Sequence, residues 1–165
     1  MAVKNPKAKG NNFERTVAKL FSDWSGVKFM RTPMSGAIHN FKDRRVVSDI
    51  VPPLTLGNFP FSIECKKVTC SWEFSVMLEK KSMTLGSHWD QCRFDAEREA
   101  LVPFLVFTKN YRAIYVVLRK QDYQKLNLQI SHIKVYAEDK IPVVIFSLTD
   151  FFDNITCADL LKIEF

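Results

Sequence analysis

The stretch Arg45 to Lys67, RVVSDIVPPLTLGNFPFSIECKK, decides how this chain is read. Two apolar runs with β character, Val46 to Val51 and Phe61 to Cys65, flank a connection that carries Pro52, Pro53, Gly57, Asn58 and Pro60. Proline fixes φ and glycine permits positive φ, so such a connection turns the chain and predicts a hairpin. Strand side chains alternate between faces, which puts Glu64 and Lys66 on one face and Cys65 on the other. The hairpin would bring Asp49, in the first run, beside them.

Ionisable groups in apolar strands cost several kcal/mol unless they are paired, hydrated or bound to a metal. Two carboxylates and an ammonium on one sheet face suit a divalent cation, with the lysine close enough to act on a bound water or a reacting phosphate. That is the outline of metal-assisted phosphodiester hydrolysis. The tripeptide Glu-x-Lys also occurs at Glu79 and Glu138, in a polar helix-like segment and in a charged turn before Pro142. Only Glu64 follows a buried-strand pattern with an acid in the preceding strand.

The order Asp49, turn, Glu64-Cys65-Lys66 resembles the PD-(D/E)xK nuclease superfamily, with Ser48 where the name-giving proline often stands. The bounds set by composition agree. A chain of 165 residues is one domain's worth, enough to bury about 70% of its unfolded surface without a disulfide or metal staple. Its 47% hydrophobic and 25% charged content is that of a soluble globular protein. The net charge is +6 and the pI about 9.2, and the excess is unevenly placed. Residues 1 to 82 hold 14 Lys and Arg against 7 Asp and Glu, whereas the remainder holds 10 against 11. The positive half is the half with the acidic hairpin, which favours an anionic partner over a merely solvated surface.

Cys65, Cys70, Cys92 and Cys157 form no Cys-x-x-Cys pair and have no histidine at zinc-ligand spacing, so reduced buried thiols are expected. The basic N-terminus leads into no apolar core of a signal peptide, and no window reaches the length of a membrane span. An intracellular protein without a membrane partner is expected, in cytoplasm or nucleoid, or in the host cytoplasm if the source is a phage.

Along the chain, residues 1 to 9 read as a mobile basic arm. From Asn11 or Asn12 the apolar residues Phe13, Val17, Leu20, Phe21 and Trp24 recur at helical spacing until Gly26. Glu14 lies beside that stripe, where it is either an acid favoured by the helix dipole or a carboxylate aimed at the Asp49 and Glu64 site. Val27 to Arg31 reads as a strand and Thr32 to Arg44 as a loop carrying Ser35, Gly36, His39, Lys42, Asp43 and Arg44. Clustered cations beside a flexible glycine suit a phosphate-tracking loop that continues to Arg45.

After the hairpin, Trp72 and Phe74 stand among lysines, either stacking on unpaired bases or sealing a core or interface. A helix is expected from Ser87 to about Ala100, with Ser87 as cap, Asp90 in the reciprocal position and a stripe of Trp89, Cys92 and Ala96. Gln91 lies close to that stripe. Strands are expected at Pro103 to Thr108, Ala113 to Leu118, Ile130 to Tyr136 and Val143 to Ser147, with helical pieces at Arg119 to Leu126 and Thr149 to Ile155. The prediction is a single nuclease domain over 1–165, α/β with a mixed central β-sheet flanked by helices, in which 119–165 is a C-terminal extension with no catalytic signal.

The run Lys9-Gly10-Asn11-Asn12-Phe13-Glu14-Arg15, then Arg31, Ser35-Gly36, Ser48-Asp49 and Ile63-Glu64-Cys65-Lys66, is similar in order and spacing to the archaeal-type (Hjc-like) Holliday junction resolvases and their phage relatives. The resemblance implies a restriction-endonuclease-like fold and paired, symmetric nicking of four-way DNA junctions by a homodimer. It implies Mg²⁺, or Mn²⁺ in its place, held by Asp49, Glu64, the Cys65 backbone carbonyl and Glu14. Lys66 and Ser35 would complete the catalytic set. Lys9, Arg15, Arg31, Lys42, Arg44, Arg45 and Lys67 would contact DNA, with Gln91, which resembles a helix glutamine of the wider superfamily. Two alternatives remain open at this level: a nuclease of the same chemistry for linear duplex or flap DNA, and a non-catalytic DNA-binding protein on the same fold.

Overall fold

A computed structural model describes residues 6–32, 48–68, 85–109, 112–136 and 141–165. Among these residues seven strands form one mixed sheet, flanked by helices on both faces. The elements in chain order are α1 (Pro6–Ser25), β1 (Met30–Arg31), β2 (Ile50–Val51), β3 (Phe61–Lys67), α2 (Leu85–Arg98), β4 (Val102–Thr108), β5 (Ile114–Arg119), α3 (Lys120–Leu126), β6 (His132–Tyr136), β7 (Pro142–Ser147), α4 (Leu148–Asn154) and α5 (Cys157–Leu160). The strand order is β1-β2-β3-β4-β5-β7-β6. Only β3 and β4 run parallel; the other neighbours are antiparallel. The architecture is the α/β sheet expected of a restriction-endonuclease-like fold.

α1 starts earlier than its apolar stripe suggests. Pro6 is its first residue, where a fixed φ suits the first turn and the missing N–H costs nothing. Residues 6–9, read from sequence as part of a mobile arm, are therefore helical. Gly26, at φ +73°, ends the helix in a conformation that a side chain would resist. The stripe Phe13, Val17 and Phe21 is buried against Phe61, Ile63, Cys65, Phe104 and Val106. Phe21 alone meets the rings of Trp24, Phe29, Phe59, Phe104 and Phe152. Truncating such a ring costs about 3–5 kcal/mol.

The opposite sheet face carries a second core, in which Leu85, Trp89, Cys92 and Ala96 of α2 cover Leu105, Phe107 and Val117. Here Ser87 lies inside the first turn of α2 rather than capping it, because the helix already includes Leu85. The strand expected at Val27 to Arg31 shortens to Met30–Arg31.

The last third of the chain joins the same sheet and core. β6 and β7 supply two of the strands, while Phe146, Phe151 and Leu160 pack with the α1 residues. Among the described residues Cys65, Cys92 and Cys157 are free and buried. No described helix is long and apolar enough to cross a membrane.

Candidate active site

The hairpin forms with a shorter first arm than expected: the strand is Ile50–Val51, with Ile50 opposite Ile63, Ser48 and Asp49 precede it, and Val46 and Val47 lie outside the described residues. Asp49 sits at its mouth and is fixed from three directions. Its N–H donates to Ile63 O (3.0 Å), its carbonyl accepts from Thr32 N (2.9 Å), and its Oδ2 accepts from Cys65 N (2.9 Å). Before it, Ser48 and Ser62 share a buried hydroxyl hydrogen bond of 2.8 Å, and Thr32 Oγ1 donates to Ser48 O at 2.5 Å. A serine at this position thus closes the hairpin through side-chain bonding that a proline would forgo.

Parallel register places Glu64 beside Leu105 and Lys66 beside Phe107. Those two residues belong to the α2 core, so Glu64 and Lys66 face α2, while Phe61, Ile63 and Cys65 face α1. Lys66 Nζ lies 2.6 Å from Glu64 Oε1. Asp49 and Glu64 are both buried. Burial first, and then the Asp49 charge, push the Glu64 carboxyl up to about 7, against the opposing pull of Lys66. Burial alone would lower the Lys66 ammonium; the Glu64 charge and their hydrogen bond outweigh it and hold Lys66 above the ordinary lysine value. The Cys65 N–H points to the β2 side, and in a strand its carbonyl turns the same way, toward Asp49.

α2 adds three groups to this face at positions i, i+4 and i+7. Asp95 and the Cys92 thiol lie within the field of Glu64, and His88 within that of Lys66. His88 and Asp95 escaped sequence reading. Their spacing relative to Cys92 was the available signal, but it becomes one only when α2 is known to cover β3. Gln91, the residue singled out on this helix, is exposed.

Glu14 stands elsewhere. Arg31 Nε donates to Glu14 Oε2, and Arg31 Nη2 donates to Asn11 Oδ1 at 2.9 Å. Arg31 lies opposite Ile50, whose side chain belongs to the α1 core, so this pair occupies the α1 face. Its carboxylate is nonetheless among the charges felt by the buried Cys65 thiol. Among the described residues no three His, Cys, Asp or Glu side chains converge closely enough to hold a metal by themselves.

Arg15 is exposed and bonds Asn12 Oδ1 at 3.3 Å; Lys67 is exposed at the end of β3. Lys9 is in α1. Ser35, Lys42, Arg44 and Arg45 lie outside the described residues.

A family model described as "Phage putative PDDEXK endonuclease" matches residues 5–162. The chain belongs to this family. No curated protein and no solved structure matches it. This PDDEXK endonuclease is therefore a nuclease of the PD-(D/E)xK superfamily with a phage relation, and the match extends through the C-terminal third that the hairpin motif does not reach.

Superfamily members typically use divalent metals, and the endonuclease's site fits one. Among the described residues Asp49 and Asp95 lie within the field of Glu64, whose carboxyl is raised by burial first and by the Asp49 charge second. Hard oxygen donors from two carboxylates and a backbone carbonyl suit an ion that keeps several waters.

Proposed function

We propose that this PDDEXK endonuclease is structure-selective, cutting four-way DNA junctions by paired symmetric nicks as a C2 homodimer with Mg²⁺, for which Mn²⁺ can substitute. The observation that carries hydrolysis is the Glu64–Lys66 pair on the sheet face beside Asp49. The junction substrate is supported by the resemblance of the ordered set from Lys9 to Lys66 to archaeal-type resolvases, and by a basic N-terminal half. Two opposed strands need two sites, which a two-fold dimer supplies.

Asp49, Glu64 and the Cys65 carbonyl would hold the cation, which when bound polarises the scissile phosphate and acidifies water. Lys66, protonated and anchored by Glu64, presents positive charge where negative charge develops on the phosphate. Hydrogen bonds to Ile63, Thr32 and Cys65 hold Asp49 in place before substrate arrives, so little reorganisation is required during reaction. Lys67 and the cations Lys42, Arg44 and Arg45 position the backbone without reading bases, while Arg31 is engaged by Glu14 and Asn11. Glu14 is held by Arg31 on the α1 face.

The test is cleavage of a synthetic four-way junction beside linear duplex and flap DNA of the same sequence, with Mg²⁺ and with EDTA. Metal-dependent paired nicks confined to the junction are expected. Equal cutting of the linear control would make the protein a general nuclease, and tight binding without cutting would make it a non-catalytic binder.

A further inference from the structure

Hydrolysis of a phosphodiester needs a group that takes the proton from the attacking water, and the residues named so far do not supply one well. Lys66 is committed as an ammonium, 2.6 Å from Glu64. Asp49 Oδ2 accepts from the Cys65 N–H, and Glu64 Oε1 from Lys66. Both carboxylates are, besides, the donors a cation would use.

His88 is placed differently. It lies in the first turn of α2, one turn before Cys92, on the flank whose later members Cys92 and Asp95 face Glu64. The helix therefore runs opposite to β3, with Asp95 toward Glu64 and His88 toward Lys66. The ring is half-buried, and it makes no hydrogen bond among the described residues. Nor is either ring nitrogen a sealed, unpartnered atom, since among these residues only the Trp89 indole N–H is. Burial and the Lys66 charge both lower its proton affinity, so the imidazole is neutral at neutral pH and keeps a lone pair available.

We propose that His88 is a catalytic residue of this site, the proton acceptor for the attacking water beside Lys66. The inference rests on the nuclease reading above but not on the junction as substrate. As the water oxygen bonds to phosphorus, its proton passes to the free imidazole nitrogen. The bond from phosphorus to the leaving oxygen breaks, that oxygen takes a proton from solvent, and the imidazolium returns its own to solvent. No oxidant or reductant enters. Lys66 supplies fixed charge and His88 supplies proton traffic, a division that a single lysine held as ammonium could not perform.

The experiment compares wild type, H88A and H88Q in single-turnover cleavage of whichever DNA wild type cuts, with binding measured in Ca²⁺ and with imidazole added. The expected result is a loss of about 10²–10⁴-fold in rate for both variants, DNA binding unchanged within about twofold, and dose-dependent recovery of H88A by imidazole. H88Q, whose side chain fills the site, should resist rescue, and it keeps enough bulk to carry the test if H88A is poorly folded. H88A or H88Q cutting within about threefold of wild type overturns the assignment, as does a folded H88A that imidazole cannot revive. Wild type cutting linear duplex as well as junctions removes the junction reading and leaves His88 standing. Wild type inert on every DNA with every divalent metal overturns the nuclease mechanism and His88 with it.

Discussion

Two largely buried glutamates, each joined to a cation, sit on opposite faces of the same sheet end. On the α1 face Glu14 is held by Arg31, which is itself held by Asn11. On the α2 face Glu64 is held by Lys66, but Asp49 and Asp95 crowd the same space. Each pair buries its carboxylate about equally, with side-chain exposures of 12% for Glu14 and 10% for Glu64. Side-chain exposure therefore does not distinguish them; the carboxylates of Asp49 and Asp95 near Glu64 do. The first arrangement is closed, and removing a member should damage the fold. In the second, burial and the Asp49 charge disfavour the ionised Glu64, and neutralising that carboxyl should damage function while relieving the fold.

The largest contrast is in activity. Glu64→Gln should abolish cleavage, by at least about 10³-fold, while leaving DNA binding intact, since in the proposed mechanism the carboxylate holds metal and cations elsewhere hold DNA. A gel-shift titration run beside the cleavage assay separates the two, and retained Mg²⁺-dependent cutting would break the site assignment.

Stability should then move the other way with pH. The folded Glu64 sits at about 7, above its unfolded value of 4.5, so its contribution is full below about pH 4.5 and is lost as pH rises through 7. Wild type should lose up to about 3 kcal/mol across that window that Glu64→Gln does not lose. The raised Lys66 follows the same sign, but its contribution is full at every pH below its unfolded value of 10.5 and leaves this window untouched. Urea unfolding at pH 4.5 and pH 8 reads the difference directly. Saturating Mg²⁺ should close it, raising wild-type stability by about 2.7 kcal/mol at a hundredfold excess over Kd and not raising that of Glu64→Gln.

Glu14→Gln should cost about 1.5–3 kcal/mol at neutral pH, since it leaves the Arg31 guanidinium with a neutral partner. A double-mutant cycle with Arg31→Met would show whether that loss belongs to the pair. The smallest effect is expected for Ser48→Ala, about 1 kcal/mol, from the lost hydroxyl bond to Ser62. A larger drop in cleavage than in stability for this variant would mean that the hydroxyl pair sets the position of Asp49.

The sequence made one side of this comparison legible and hid the other. Period-two alternation fixes the relation of Glu64, Cys65 and Lys66 without knowledge of anything else, and the turn residues fix Asp49 opposite them. Helical spacing puts Glu14 beside the buried stripe, but the sheet face to which it belongs depends on how α1 crosses β3, which no local pattern encodes. His88 and Asp95 were missed for the same reason. Each is an ordinary polar residue on the edge of an apolar stripe until α2 is laid over β3. The start of α1 was misread because its first turn carries lysines and a proline instead of apolar residues, so propensity rather than periodicity marked it. β6 and β7 were readable as strands, yet their place beyond β5 is a matter of topology.

The sheet is also unevenly knitted. Among the described residues β1 and β2 pair through two residues each, whereas β5 and β7 are joined over five registers and β3 and β4 over seven. Local opening costs least where a ladder is shortest. Backbone amides around Asp49 and Thr32 should therefore exchange with deuterium sooner than those of β4, although both belong to the same sheet. The corner that the proposed function assigns to DNA should thus open more readily than β4, while the strand that carries Glu64 and Lys66 is anchored to β4 by the longest ladder among the described residues.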